Sequence, residues 1–106
     1  MKLAYVTAPP EEASGLARRV VEAGLAACVN LLFGVTSIYR WGGGIHQDGE
    51  VLLIAKVADD NADEFVRRVR EWHSYQCPEV VLTDVVGGNP EYLAWVQDPD
   101  KKVGDA

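Results

Sequence analysis

The side chains best suited to bind a soft metal ion in this sequence are two cysteines and a histidine. Cys77 follows His73 by four residues, so the two could share an ion if the predicted helix that ends at His73 unwinds. Cys28 lies in an apolar stretch, where a free cysteine is commonly a buried core residue. Thiolate and imidazole suit copper better than magnesium or calcium. This set predicts a weak copper site at His73, Cys77 and Cys28 that is not required for folding, with helix capping as the alternative role of His73.

A second group of side chains is typical of a pocket for a small molecule. It combines three aromatic rings with three charged groups, and its members are Tyr39, Trp41, Glu50, Lys56, Tyr75 and Glu79. Pockets of this kind are mostly apolar and aromatic, with a few polar groups that orient the ligand. The alternative interpretation is that the rings pack at a subunit interface and that Glu50 and Lys56 form a surface ion pair.

The elements that must position these side chains follow the order strand, helix, strand, strand, helix, strand, with a further helix after Asn89. The strands are predicted at residues 2–7, 27–41, 50–58 and 79–86, and residues 42–49 are predicted to be the turn between the two long strands. Asn61 and Glu64 have the spacing of a helix capping box. This order predicts an α+β domain with a ferredoxin-like βαββαβ antiparallel sheet, in which the first and third strands are central.

The longest predicted strand, at residues 27–41, is too long for a domain of this size. Its later half alternates as a strand does, and Gly34 indicates a bulge within it. Fifteen extended residues span about 50 Å, whereas a compact domain of about 100 residues has a radius of gyration of about 13 Å. The strand must therefore bend or project, and as an apolar edge strand it predicts a symmetric oligomer.

The length and composition of the chain indicate one small domain spanning residues 1–106, with residues 98–106 predicted to be a frayed tail. No apolar run approaches the roughly 20 residues that cross a membrane. The formal charge of −6 disfavours nucleic acids and anionic membrane surfaces as partners. Cys28 and Cys77 are not in a CxxC spacing and are predicted to be free thiols, which indicates the cytoplasm.

An ordered set of short motifs gives the sequence a family resemblance. The motifs are Thr7-Ala8-Pro9, Leu25-Ala26-Ala27-Cys28-Val29-Asn30, Ser37-Ile38-Tyr39-Arg40-Trp41, Glu50 with Lys56, His73-x-Tyr75, Pro78-Glu79 and Gly88-Asn89-x-x-Tyr92-Leu93-x-Trp95. From about Val6 to Val96 the chain resembles the CutA divalent-cation tolerance proteins. The resemblance implies a ferredoxin-like homotrimer with long hairpins running between subunits, and a link to copper and other divalent cations.

Two positions depart from the pattern of that family. Some members have a cysteine just before the Thr-Ala-Pro turn and a second histidine beside the one that matches His73, and these positions are implicated in copper binding. They are Val6 and Trp72 in this sequence, so His73 alone remains of that set. Cys77, which precedes Pro78, is the candidate for a replacement ligand.

Three functions are compatible with these patterns. The first is a non-enzymatic trimer that takes part in divalent-cation tolerance by binding a metal or small ligand at subunit clefts. The second is a signalling module like the PII proteins, which would hold an anion of the nucleotide type with Lys56 or Arg40. The third is a purely structural trimer. An enzyme is not predicted, because the prolines at 9 and 10 leave no glycine-rich anion loop after the first strand and no nucleophile can be paired with a base.

Overall fold

Four antiparallel strands form a single sheet in the order β2-β3-β1-β4. The computed structural model of the protein describes residues 1–100, so residues 101–106 of the expected tail lie outside it. The strands are β1 (Lys2–Ala8), β2 (Cys28–Trp41), β3 (Gly44–Val57) and β4 (Val80–Asp84), and the helices are α1 (Pro10–Glu22), α2 (Ala62–Trp72) and α3 (Pro90–Gln97). With β1 and β3 at the centre, this is the predicted ferredoxin-like fold with an added C-terminal helix.

The core lies between one face of the sheet and the apolar stripes of α1 and α2. The buried members on the strands and helices are Ala4, Val6, Ala8, Val51, Leu53, Ala55, Val57, Ala13, Leu16, Ala17, Val20, Phe65 and Val69. Burial alternates along β3 from Val51 to Val57 because successive side chains point to opposite faces of a sheet. Val21, on α1, lies outside this core and is exposed.

The β2–β3 hairpin extends almost to its end as paired strand. Trp41 pairs with Gly44, so only Gly42 and Gly43 form the turn, and the predicted loop at residues 42–49 was wrong. Both glycines have positive φ, at 61° and 80°, as a two-residue hairpin turn requires. Each arm therefore has 14 residues, and the molecule measures 51 × 25 × 24 Å.

The predicted bulge lies at Gly34. Leu32 pairs with Leu52 and Val35 with Glu50, so two residues of β2 oppose only Val51 on β3. Gly34 has a φ of +79°, which a glycine adopts without steric cost. The bulge separates an inner half of the hairpin, near the helices, from an outer half that ends at the turn.

The two later helices begin in different ways. The capping box predicted at Asn61 and Glu64 was wrong, because Asn61 has helical backbone angles and its side-chain amide donates to the carbonyl of Gly24 at 3.3 Å. A short 3₁₀ turn, Asp59–Asn61, precedes α2 instead. Asn89 does cap α3, because its side-chain oxygen accepts a hydrogen bond from the amide of Glu91 at 3.2 Å.

Within residues 1–100, no helix has both the length and the apolar character needed to span a bilayer.

Candidate functional site

A cleft of about 570 Å³ lies where the outer half of the hairpin meets the loop that follows α2. We call it the hairpin cleft. Its walls carry three aromatic side chains and three carboxylates, together with smaller polar and apolar groups; the complete lining is Thr7, Ser37, Ile38, Tyr39, Trp41, Asp48, Glu50, Tyr75, Gln76, Cys77 and Glu79. Five of the six predicted pocket residues are therefore brought together, and Lys56 is the exception.

Lys56 lies too far along its strand to act with the cleft. Six residues of β3 separate it from Glu50, which corresponds to about 20 Å. Its ammonium instead donates to the sulfur of Cys28, its partner in the β2–β3 register, at 3.8 Å. The surface pair of Glu50 and Lys56 considered as an alternative is therefore not formed.

Each carboxylate of the hairpin cleft accepts a hydrogen bond from a hydroxyl group. The Tyr75 hydroxyl donates to Glu50 Oε2 at 3.0 Å, the Tyr39 hydroxyl donates to Asp48, and the Thr7 hydroxyl lies 3.5 Å from Glu79 Oε1. Glu50 is the most enclosed of the three, with 7% of its surface exposed. These bonds hold the carboxylates in place and leave their other lone pairs available, because a carboxylate can accept several bonds.

The two tyrosines that contact these carboxylates are kept protonated. Burial raises the pKa of Tyr75 to about 12, with the hydrogen bond to Glu50 and its negative charge acting in the same direction. The pKa of Tyr39 is raised chiefly by the hydrogen bond that it donates to Asp48. Both phenols therefore remain hydrogen-bond donors at neutral pH, in surroundings that disfavour further negative charge.

His73 lies behind the cleft wall and uses both ring nitrogens in hydrogen bonds. It is buried, and it occupies the position that ends α2. Its Nδ1 accepts from the backbone amide of Tyr75 at 3.0 Å, which leaves Nε2 to donate to the carbonyl of Thr7 at 2.7 Å. This arrangement specifies the neutral tautomer and ties β1 to the loop that carries Tyr75.

The three predicted metal ligands occupy different surroundings. Cys77 is exposed and lines the hairpin cleft, His73 is engaged behind it, and half-buried Cys28 lies beside Lys56. In residues 1–100, no group of three or more histidine, cysteine, aspartate or glutamate side chains has the geometry to hold a metal ion.

The sequence interpretation did not identify Asp48 or Thr7 as cleft residues. Asp48 was assigned to a loop, whereas it lies on β3 directly opposite Ser37. The Gly42-Gly43 pair was the signal that could have revealed this register, because a two-residue turn specifies the pairing of every residue behind it. Thr7 is recognisable only once β1 is known to end beside the cleft.

Comparison with known proteins gives consistent matches along the chain. The family model described as "CutA1 divalent ion tolerance protein" matches residues 2–99. Protein CutA of Mus musculus is 43% identical over 104 residues, which cover 97% of this chain and 59% of the mouse protein. The divalent-cation tolerance protein CutA of Thermus thermophilus is 41% identical over 92% of this chain and 95% of its own length.

Solved structures show the same similarity in three dimensions. The Thermus thermophilus divalent cation tolerance protein superimposes with a TM-score of 0.88 at 40% identity, covering 92% of this chain and 97% of that one. A protein from Nostoc described as a PII-like protein CutA has a TM-score of 0.88 at 37% identity, covering 92% and 94%. By the family match and by these relatives, the chain belongs to the CutA1 family of divalent ion tolerance proteins.

Proposed function

We propose that this protein takes part in the tolerance of divalent cations, copper included, as a non-enzymatic homotrimer of the cytoplasm that binds its ligand in the hairpin cleft. The observation that carries the proposal is the cleft itself, where aromatic and carboxylate side chains from the hairpin and from the loop after α2 converge. Its volume is in the range of small-ligand sites in proteins. Its acidic lining favours a cationic ligand.

The exposed apolar side chains of the hairpin support self-association. Edge strand β2 and the outer half of β3 present Leu32, Phe33, Ile38 and Ile45, and Ile38 has 67% of its surface exposed in the protomer. A long apolar edge strand invites pairing with another chain. A closed symmetric assembly would cover these side chains, and three copies is the number implied by the family resemblance.

For copper, the surroundings of the three candidate ligands favour Cys77. Its thiol is exposed in the cleft, where Glu79 also lies, whereas an ion at His73 would have to displace one of two short hydrogen bonds. A single thiolate with carboxylates predicts weak binding of copper. His73 and Cys28 would then act as structural residues.

The PII-like function is less well supported by this geometry. The Nostoc relative is described as PII-like, but the anion that such a function requires was expected to bind Lys56 or Arg40. Neither side chain lines the hairpin cleft. Carboxylates along the walls would repel a nucleotide, since like charges brought together without counter-ions destabilise a complex.

The assembly is tested by multi-angle light scattering on the wild type and on Ile38→Asp. We expect the mass of a trimer for the wild type and smaller species for the variant, because burying an unpaired carboxylate costs several kcal/mol. Glu22→Gln, on the exposed side of α1, is the matched control and should keep the wild-type mass. A stable wild-type monomer of 11.6 kDa would contradict the proposal.

The function is tested in cells made copper-sensitive by deletion of their own relative of this protein. Wild type and Glu22→Gln should restore growth in copper, whereas Glu50→Gln should not, because it removes the buried charge of the cleft. Full restoration by Glu50→Gln would separate the cleft from tolerance and overturn the proposal.

A further inference from the structure

We propose that the ligand of the hairpin cleft is an organic cation that carries two or more ammonium groups along an aliphatic chain. The proposal rests on the function proposed above, in which the hairpin cleft is the binding site, and it adds the chemical class of the ligand. Four features of the cleft lead to this class: its charge, the different hydroxyl groups that hold its carboxylates, its aromatic walls and the lack of a cation beside Glu50.

The charged side chains that line the cleft all have the same sign. Asp48, Glu50 and Glu79 line it, and lysine, arginine and histidine are absent from its lining within residues 1–100. A cleft with a lining of one sign concentrates ligands of the opposite sign. An anionic ligand would meet three carboxylates without a compensating cation.

Within the described residues of the protomer, Glu50 in particular has no positively charged partner. Only 7% of its surface is exposed, and among the ion pairs of residues 1–100 none includes it. Its one recorded side-chain partner is the neutral hydroxyl of Tyr75. Buried carboxylates are normally paired with a cation, so an ammonium group entering the cleft would supply the missing charge.

The placement of the three carboxylates suits several positive charges better than one metal ion. They do not form a chelating group in the described part of the chain, and each is held by a different hydroxyl on a different element: Tyr39 on β2, Thr7 on β1 and Tyr75 in the loop after α2. A divalent ion is a point charge that needs its oxygen ligands at one centre. A flexible chain with separated ammonium groups can instead pair with carboxylates at different places.

The aromatic walls suit the parts of such a ligand between its charges. Tyr39, Trp41 and Tyr75 line the cleft, and Trp41 is more than half exposed. Aromatic faces attract ammonium groups and provide apolar surface for the methylene groups between them. A hydrated metal ion would gain nothing from these rings.

The test is isothermal titration of the full-length, assembled protein with three probes at equal ionic strength. Spermidine is the linear polycation, magnesium is the point-charge cation and tripolyphosphate is the anion. We expect saturable binding of spermidine, at least tenfold tighter than binding of magnesium, and no binding of tripolyphosphate. Absence of saturable spermidine binding, or equal affinity for magnesium, would overturn the proposal.

Variants locate the binding in the cleft. Glu50→Gln should weaken the binding of spermidine roughly tenfold to hundredfold, because a charge-assisted hydrogen bond is lost. Glu22→Gln removes the same charge from α1, outside the cleft, and should change the affinity less than twofold. Equal weakening by both variants would show general charge attraction and overturn the proposal. If spermidine fails to bind but Glu50→Gln still abolishes copper tolerance in cells, the ligand class is wrong while the proposed function stands.

Discussion

The inner and outer halves of the β2–β3 hairpin have the same backbone structure but different support. On β3, Val51, Leu53, Ala55 and Val57 are buried under the helices, whereas Ile45, nearer the turn, is 64% exposed. Both halves are fully paired across the hairpin. Hydrogen-bonded strands therefore do not need a covering layer to form, but an isolated two-stranded ribbon is marginally stable in water. Within the described residues of the protomer, the outer half has no such covering layer.

The hairpin cleft lies on the boundary between these halves. Tyr39, Trp41 and Asp48 belong to the outer half, whereas Thr7 and Tyr75 belong to the body of the domain. Glu50, which pairs with Val35 directly beyond the bulge, accepts a bond from Tyr75 and so links the outer half to the body of the domain. The geometry of the cleft consequently depends on whatever holds the outer half in position.

The largest expected effect on stability comes from removing an apolar side chain, and it should differ between the two halves of the hairpin. Leu53→Ala should lower the free energy of unfolding by about 2–5 kcal/mol, because it leaves a cavity in the core. This loss should be the same at every protein concentration. Ile38→Ala, in the outer half, should instead have an effect that varies with protein concentration, because the proposed assembly would cover this exposed side chain. Urea unfolding at a high and a low protein concentration measures both.

The proposed difference between the halves would be contradicted if the effects of Leu53→Ala and Ile38→Ala depended on protein concentration in the same way. Thr36→Ala, another exposed position in the outer half, is the control for altered strand propensity. Its effect should stay within about 0.5 kcal/mol of the wild type.

The second prediction concerns the hydrogen bonds that tie the cleft to the body. His73→Ala should lower the free energy of unfolding by about 1–3 kcal/mol, because the Tyr75 amide and the Thr7 carbonyl lose the imidazole as their hydrogen-bond partner. His73→Asn can keep an acceptor near the position of Nδ1, and His73→Gln can keep a donor near that of Nε2. Each of these two variants should recover part of the lost free energy of unfolding, as measured by urea unfolding. A variant His73→Ala as stable as the wild type would contradict the structural role.

A third prediction addresses the bulge between the halves. Gly34→Ala should destabilise the protein by about 1–2 kcal/mol, because alanine is strained at a φ of +79° although no atom lies within 4 Å of its Cβ. Gly15→Ala, in α1, is the matched control, since its Cβ also meets open space. That substitution should stabilise the protein by about 0.5–1 kcal/mol, because alanine favours a helix interior. Thermal melts with the same sign for both variants would show that the bulge imposes no backbone strain.

Most of the fold could be predicted because the hydrophobic periodicity of the segments agrees with the turn-forming and helix-capping residues between them. The alternation of Val51, Leu53, Ala55 and Val57 indicates a half-buried strand, and Asn89-Pro90 marks the beginning of a helix. The hairpin turn was mispredicted because residues 46–49, His-Gln-Asp-Gly, have the composition of a loop. Strand pairing dictated by a tight turn outweighs that local composition.

The candidate site could be predicted only in part, because residue types do not reveal what each side chain already contacts. Aromatic and acidic residues on the hairpin indicated a pocket, and the cleft contains most of them. Lys56 shares a strand face with Glu50, but distance along the strand excludes it from the cleft. The hydrogen bond between His73 and Thr7 joins residues 66 positions apart in sequence, and no local pattern predicts such a contact.

The smallest predicted effect compares two tyrosines, one from each side of the cleft. The pKa of Tyr75 is about 12 in the folded protein and near 10 when unfolded, so its neutral form is favoured by folding. That stabilisation is fully present below pH 10 and is lost as the pH rises through 12. Tyr75→Phe should therefore flatten the decline in unfolding free energy between those values. Tyr39→Phe, in the outer half, should flatten it too, because the pKa of Tyr39 is also raised. Urea unfolding across this range measures the slopes, and slopes identical to the wild type in both variants would show that neither phenol has a raised pKa in the folded protein.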